Sequence, residues 1–326
     1  MDRERSIPTM WPNTLSFGAW LSGGPTMNQH WLWGLVFVGA LGCAKPCDIA
    51  PPVDTANPPV DTSSPPTGNK PTFAIGELPN SMSALSSFFS KHIDVFGVHV
   101  VATAGVPDAK MTHAAHVLAQ YLDNDEDGVV DNAAVGEALA GTLGGATLVM
   151  FASEAEIESS GIFESNAIDQ FPAQDLYATE THPEGSGQAG FDATLEEVLH
   201  LVTHYGYSAV YPDVFGETKG SSIADAMDLA RGGYFATVPS SYPAGAWYHY
   251  DDTTCEYGCM ATEYFYWALT SILGAQDYPG RCEDIAVEWE ACTEDKVQSM
   301  DPAVYALLTD PQYKLPTVLP DGTYGN

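Results

Sequence analysis

The stretch from Phe191 to Ser208, FDATLEEVLHLVTHYGYS, concentrates side chains able to bind a metal ion. On a helix of 3.6 residues per turn, Glu196, Glu197, His200 and His204 fall within an arc of roughly 100°, while Val198, Leu199 and Val202 point away. Two carboxylates and two imidazoles on one face can offer several donors to one cation. His200 and His204, at i and i+4, can also converge their rings above the helix. The spacing predicts a metal helix over 192–206. A second donor is expected from CMATEYFYWALTSILGA, 259–275, where Glu263 is the single charged side chain. A carboxylate in so apolar a helix is costly unless paired or metal-bound. Two simpler explanations compete. Thr194-x-x-Glu197 fits a capping box, and Glu263 lies near enough to a helix start to favour the dipole.

The stretch Asp123 to Asn132, DNDEDGVVDN, carries different chemistry. Alternating Asp123, Asp125 and Asp127 aim oxygens inward, and Gly128 permits a sharp turn. Val129 would add a backbone carbonyl and Asp131 a further or water-mediated oxygen. The twelfth position is Ala134, so the loop is similar to the short D-x-D-x-D-G-x-x-D calcium loops of extracellular proteins rather than to an EF-hand. Its self-repulsion predicts a structural Ca2+; an acidic cap for the next helix is the competing explanation.

Glu196-Glu197-Val198-Leu199-His200 resembles the zincin motif H-E-x-x-H with glutamate in place of the first histidine. The resemblance implies Glu196 and His200 as ligands of Zn2+, or of Mn2+ or Fe2+ given the more anionic donor set, and Glu197 as general base. Glu263 matches the later glutamate of gluzincins. A helix running on to Tyr205, then an aromatic stretch, then a Glu-bearing apolar helix is most similar to lethal-factor-like zincins. There a Tyr or His stabilises the oxyanion; Tyr248, His249 and Tyr250 stand in that segment, with Tyr250 taken as the catalytic one. A second register, His200-Leu201-Val202-Thr203-His204, has two histidines but Leu201 where the base belongs. His200 is common to both. The implied function is a metallopeptidase acting on polypeptide. The alternatives are a non-catalytic calcium-binding surface lipoprotein and a di-iron carboxylate protein, the latter disfavoured because the later helix reads Glu263-Tyr264-Phe265-Tyr266.

Composition bounds the partners. Among 326 residues, 43 Asp and Glu stand against 11 Lys and Arg, a formal charge of −32. So acidic a surface repels phosphate backbones and anionic lipid, which argues against nucleic acid. From Met27 the chain runs MNQHWLWGLVFVGALGCAKPC, ending in Ala40-Leu41-Gly42-Cys43. This resembles a bacterial lipobox, with Ala40 where Leu is commonest and no Lys or Arg between Met27 and the apolar core. It implies export, Cys43 as the lipidated residue, and membrane contact through lipid alone. Residues 44–71, rich in Pro, Thr, Ser and Asp with PPVDT twice, read as an extended tether. In an exported protein, Cys255, Cys259, Cys282 and Cys292 are expected as disulfides, with three pairings open.

The elements that must position these groups belong to one mostly helical α+β domain over 72–326, zincin-like with a small sheet. Helices are expected at 80–92, 108–122, 132–143, 153–159, 221–234 and 284–308, and strands at 95–103 and 146–152. Residues 163–190 read as irregular, with His182 a reserve ligand. His113 and His116 read as packing residues, and Asp225 and Asp228 as carboxylates able to orient an imidazole from behind.

Overall fold

The computed structural model describes residues 70–142, 144–187 and 190–325; the leader, Cys43 and nearly all of the tether lie outside the described residues. The chain is α+β, helix predominating around one four-stranded mixed sheet in the order β1-β2-β3-β4. A 3₁₀ turn, Asn80–Leu85, stands where a longer helix was expected. Strands β1 (Lys91–Val95) and β2 (Val98–Ala102) form an antiparallel hairpin. The single strand expected over 95–103 is therefore broken. Phe96 and Gly97 take positive φ of 55° and 85°, the two-residue turn whose twist matches paired strands.

Helices α1 (Asp108–Leu122) and α2 (Ala133–Gly141) carry the chain to β3 (Thr147–Phe151), parallel to β2. Helix α3 (Glu154–Ser160) leads on to β4 (Ala173–Tyr177), parallel to β3. Strand β4 falls within the 163–190 stretch that reads as irregular, because AQDLY mixes polar and apolar residues without the β-branched run that marks β3. The order continues through α4 (Thr194–Val202), a π turn (Thr203–Tyr207), and short α5 (Ser208–Val210) and α6 (Pro212–Phe215). Helices α7 (Ser222–Ala230), α8 (Tyr257–Ile272), α9 (Arg281–Ile285), α10 (Glu294–Met300) and α11 (Pro302–Leu308) follow. The expected 284–308 helix is thus three pieces. Cys282–Cys292 ties off the first, and Pro302 starts the last, where its missing N–H is harmless.

The period-2 alternation of the strands sorts two cores. Val98, Val100, Leu148, Met150 and Leu176 join the large core with α1, α4 and α8. Val101, Val149, Phe151 and Tyr177 join a smaller one with Met82, Leu85 and Ile157. Each such side chain, fully buried, contributes about 1.5–3 kcal/mol. One consequence reaches the site: Gln174, two residues before Leu176, must share its face and point at α4. The second disulfide, Cys255–Cys259, sits at the start of α8. No helix among the described residues is long and apolar enough to cross a membrane.

Candidate metal centre

Helix α4 is amphipathic as its sequence requires, with Val198, Leu199 and Val202 buried in the large core. The capping box does not form. Glu197 N–H donates to the Ala193 carbonyl at 2.9 Å, so Thr194 is already inside the helix. Asp192 covers the helix start instead, accepting from Thr194 N–H at 3.3 Å and His182 N–H at 2.9 Å, while His113 Nε2 meets its other oxygen at 2.7 Å. Glu197 is thereby released from a capping role. Its carboxylate accepts a 2.6 Å hydrogen bond from Gln174 Nε2 on β4.

His200 is fully buried, and two carboxylates converge on its Nε2: Glu263 Oε2 at 3.5 Å and Glu196 Oε1 at 3.8 Å. Ligand atoms of all three lie within 4.8 Å of one another. Neither ring nitrogen of His200 has a hydrogen-bond partner among the described residues. An orphaned buried imidazole is expensive, and 3.5 Å is beyond hydrogen-bond range for a charged pair. The same separations suit a shared ion: donors about 2.1 Å from one tetrahedral centre stand about 3.4 Å apart. Glu196 is the more accessible of the two carboxylates, its side chain 26% exposed against 5% for Glu263.

The electrostatics describe a strained group of like charges. Burial raises Glu196 above the usual carboxylate range, with the Glu263 charge adding to it and His200 opposing it. Burial also lifts Glu197 well above that range, with the charges of Glu196 and Asp175 adding to it. For His200, burial works downward, but Glu263, Glu196 and Glu197 overcome it and favour the imidazolium.

The second register does not assemble. His204 Nδ1 meets both Glu217 oxygens, at 2.7 and 2.8 Å, and Glu217 also accepts from Thr262 Oγ1 at 2.8 Å. The π turn is the cause: its wider ladder moves His204 off the line of His200. Gly206 permits that turn to lie on α2, since a Cβ there would meet Val135 Cγ1 at 2.8 Å.

Other expected residues are distributed as follows. Tyr250 is 2% exposed, its phenol pushed far up by burial and then by Glu263. The Tyr248 hydroxyl is engaged by the Met260 carbonyl at 2.8 Å, and Tyr205 OH by the Ala173 carbonyl at 3.3 Å. His182 Nδ1 faces Glu184 at 3.6 Å, and Asp228 binds Arg231 Nη2 at 2.6 Å and the Tyr257 hydroxyl at 3.1 Å rather than an imidazole. His113 carries more than packing, through Asp192.

Sequence reasoning missed three neighbours. Gln174 holds Glu197 from the unrecognised strand. Tyr266, at i+3 from Glu263, packs edge-on to the His200 ring at 5.6 Å, its hydroxyl accepting from Gln276 Nε2 at 3.2 Å. Glu288 accepts from Trp267 Nε1 at 2.8 Å, and Trp267 stands one turn beyond Glu263 on α8. The i, i+3 and i, i+4 positions around Glu263 were the signal for Tyr266 and Trp267; Glu288 had none.

In the acidic loop, oxygens of Asp123, Asp125 and Asp127 also lie within 4.8 Å of one another. Asp123 accepts from Gly128 N–H at 2.8 Å and from the Tyr324 hydroxyl. Val129 N–H donates to Asp127 at 2.8 Å, and Asp131 takes the Asn124 N–H at 2.7 Å. Gly128, at φ 96°, makes the turn that the motif requires. The C-terminal segment covers this loop, Gly325 N–H reaching Glu126 at 2.7 Å.

No family model, no curated protein and no solved structure matches the chain.

Proposed function

We propose that this protein is an exported, zincin-like metallohydrolase that cleaves peptide bonds. The observation that carries the reading is His200: a fully buried imidazole with no hydrogen-bond partner among the described residues, facing two carboxylates at 3.5 and 3.8 Å. Glu196, His200 and Glu263 would hold a divalent cation, zinc first and manganese or iron next, since replacing imidazole by carboxylate relaxes zinc preference. Such a cation supplies Lewis acidity to a carbonyl and to water. Glu197, oriented by Gln174, accepts the proton of the attacking water and returns it to the leaving amine. Tyr250, whose phenol burial and then Glu263 push upward, would donate to the developing oxyanion. Tyr266 and the walls of α4 and α8 exclude bulk water behind the ring.

The loop at 123–131 belongs to the same reading as a structural calcium site, with Asp123, Asp125 and Asp127 as its side-chain donors. Anchoring through a lipid on Cys43 would leave the domain outside the cell, where polypeptide is the substrate at hand. The second carboxylate group also favours one rival, a calcium-binding surface lipoprotein without turnover. Metal analysis of purified protein separates them. About one equivalent of transition metal, lost in His200→Ala, supports the hydrolase; calcium alone supports the rival.

A further inference from the structure

We infer that the β1–β2 hairpin holds a separate site for cupric ion, built from His92, His99 and Asp94 and independent of the hydrolase reading above. The period-2 alternation of the strands places it. Ile93 and Val95 face the large core, so His92 and Asp94 turn to the other face of the sheet. His99 shares that face with Val101, which belongs to the smaller core. Helices α4 and α8, which carry Glu196, His200 and Glu263, pack in the large core. The two sites are therefore served by opposite faces of one sheet.

Register brings the donors together. Asp94 pairs directly with His99, and His92, paired with Val101, is the diagonal neighbour of His99. His92 Nε2 stands 3.0 Å from His99 Nδ1, and Asp94 Oδ2 stands 3.5 Å from the same His99 nitrogen. Asp94 Oδ1 accepts the Gly97 N–H at 3.3 Å, which holds the carboxylate with its second oxygen toward the ring. Two glycines leave the imidazoles room. Gly76 pairs with His92 through hydrogen bonds of 2.9 and 3.0 Å and adds no side chain to that face. At Gly145 a Cβ would meet His99 Cδ2 and Nε2 at 2.9 Å. Lys91 alternates to the opposite face, where its ammonium meets Asp108 at 2.7 Å.

The competing explanation is a plain N–H···N hydrogen bond between two neutral rings. It accounts for the 3.0 Å separation but not for the carboxylate oxygen set on the same nitrogen. A proton on His99 Nδ1 can serve only one of its two neighbours, and without that proton its lone pair faces the carboxylate. One cation among the three satisfies them all. Burial and then His99 hold the His92 ring below the usual imidazole range, with Asp94 opposing, so His92 offers a lone pair at neutral pH. The separation also selects the metal. Two nitrogens about 2.05 Å from one ion stand about 2.9 Å apart at a right angle and about 3.4 Å apart at a tetrahedral one. The observed 3.0 Å suits tetragonal Cu2+ better than zinc, and Cu2+ heads the affinity order of divalent first-row ions for nitrogen and oxygen donors. A formal charge of −32 draws such a cation to the surface.

The test is a Cu2+ titration of the metal-stripped full chain, read by electron paramagnetic resonance. About one equivalent should give an axial signal split by a pair of imidazole nitrogens, and His200→Ala should leave that signal unchanged. His92→Gln and His99→Gln should each weaken copper binding by at least about 10–100-fold, the loss that removing even an outer partner of a metal site causes. Asp94→Asn alters a side chain that is 55% exposed, so the fold tolerates it; it should weaken binding less and shift the parallel copper hyperfine splitting. Thermal melts without copper establish that each variant is folded. A His200→Ala protein without the paired-nitrogen signal, or a signal that survives both histidine substitutions, overturns the assignment. A splitting unchanged in Asp94→Asn strikes the carboxylate from the ligand set. Zinc binding lost in His200→Ala tests the hydrolase reading separately, so either idea can fail without the other.

Discussion

Adding zinc to metal-stripped protein should raise its melting temperature, and His200→Ala should abolish the rise. An ion present at a thousand times its Kd, binding the folded state alone, stabilises by about 4.1 kcal/mol. A domain of this length shifts by about 2–4 °C per kcal/mol, so the expected rise is about 8–16 °C. Competition from the unfolded chain is small, because Cys255, Cys259, Cys282 and Cys292 are held in disulfides. Glu263→Gln keeps the shape and offers a neutral oxygen. A site tenfold to a hundredfold weaker loses about 1.4–2.7 kcal/mol of the gain. The assay is a thermal melt in calcium-saturated buffer with and without zinc, so that the loop at 123–131 stays constant. A wild-type melt indifferent to zinc, or an equal rise in His200→Ala, would refute the shared-ion argument.

Glu197→Gln should keep the zinc-dependent rise while lowering turnover of an unstructured polypeptide by about 10²–10⁴, measured by single-turnover cleavage. Asp192 gives a pH test. Burial works upward on its carboxyl, yet the His113 hydrogen bond and charge and the His182 N–H prevail and hold it below the usual range. Its stabilisation is therefore complete above the unfolded value near about 3.9 and disappears as pH falls through the lower folded value. Asp192→Asn should flatten that part of the acid limb in urea titrations between about pH 2 and 5. Replacing Cys282 and Cys292 by serine should cost about 2–3 kcal/mol in a denaturant melt, as expected for so short a loop. Removing calcium with a selective chelator should lower the melting temperature of the wild type, and leave Asp125→Ala unmoved if the loop binds the ion.

Much of the local structure was legible in the sequence. The 3.6 period of α1 and α4, the buried run of β3 and the Asp123–Gly128 alternation each depend on neighbours in the chain, so local reading located them. The face shared by Glu196 and His200 follows from helix geometry alone, and Glu263 was conspicuous because its helix offers no other charge. Tertiary structure decided what needs distant partners. A strand as polar as β4 forms only because β3 pairs with it, and it brings Gln174 to Glu197. The chain past Val202 turns π-helical on α2, which gives His204 to Glu217 rather than to His200. Glu288 reaches the site through a disulfide-closed segment that no spacing rule encodes. Periodicity fixes which side chains share a face; packing alone fixes which faces meet, and the trio of Glu196, His200 and Glu263 exists only where α4 and α8 touch.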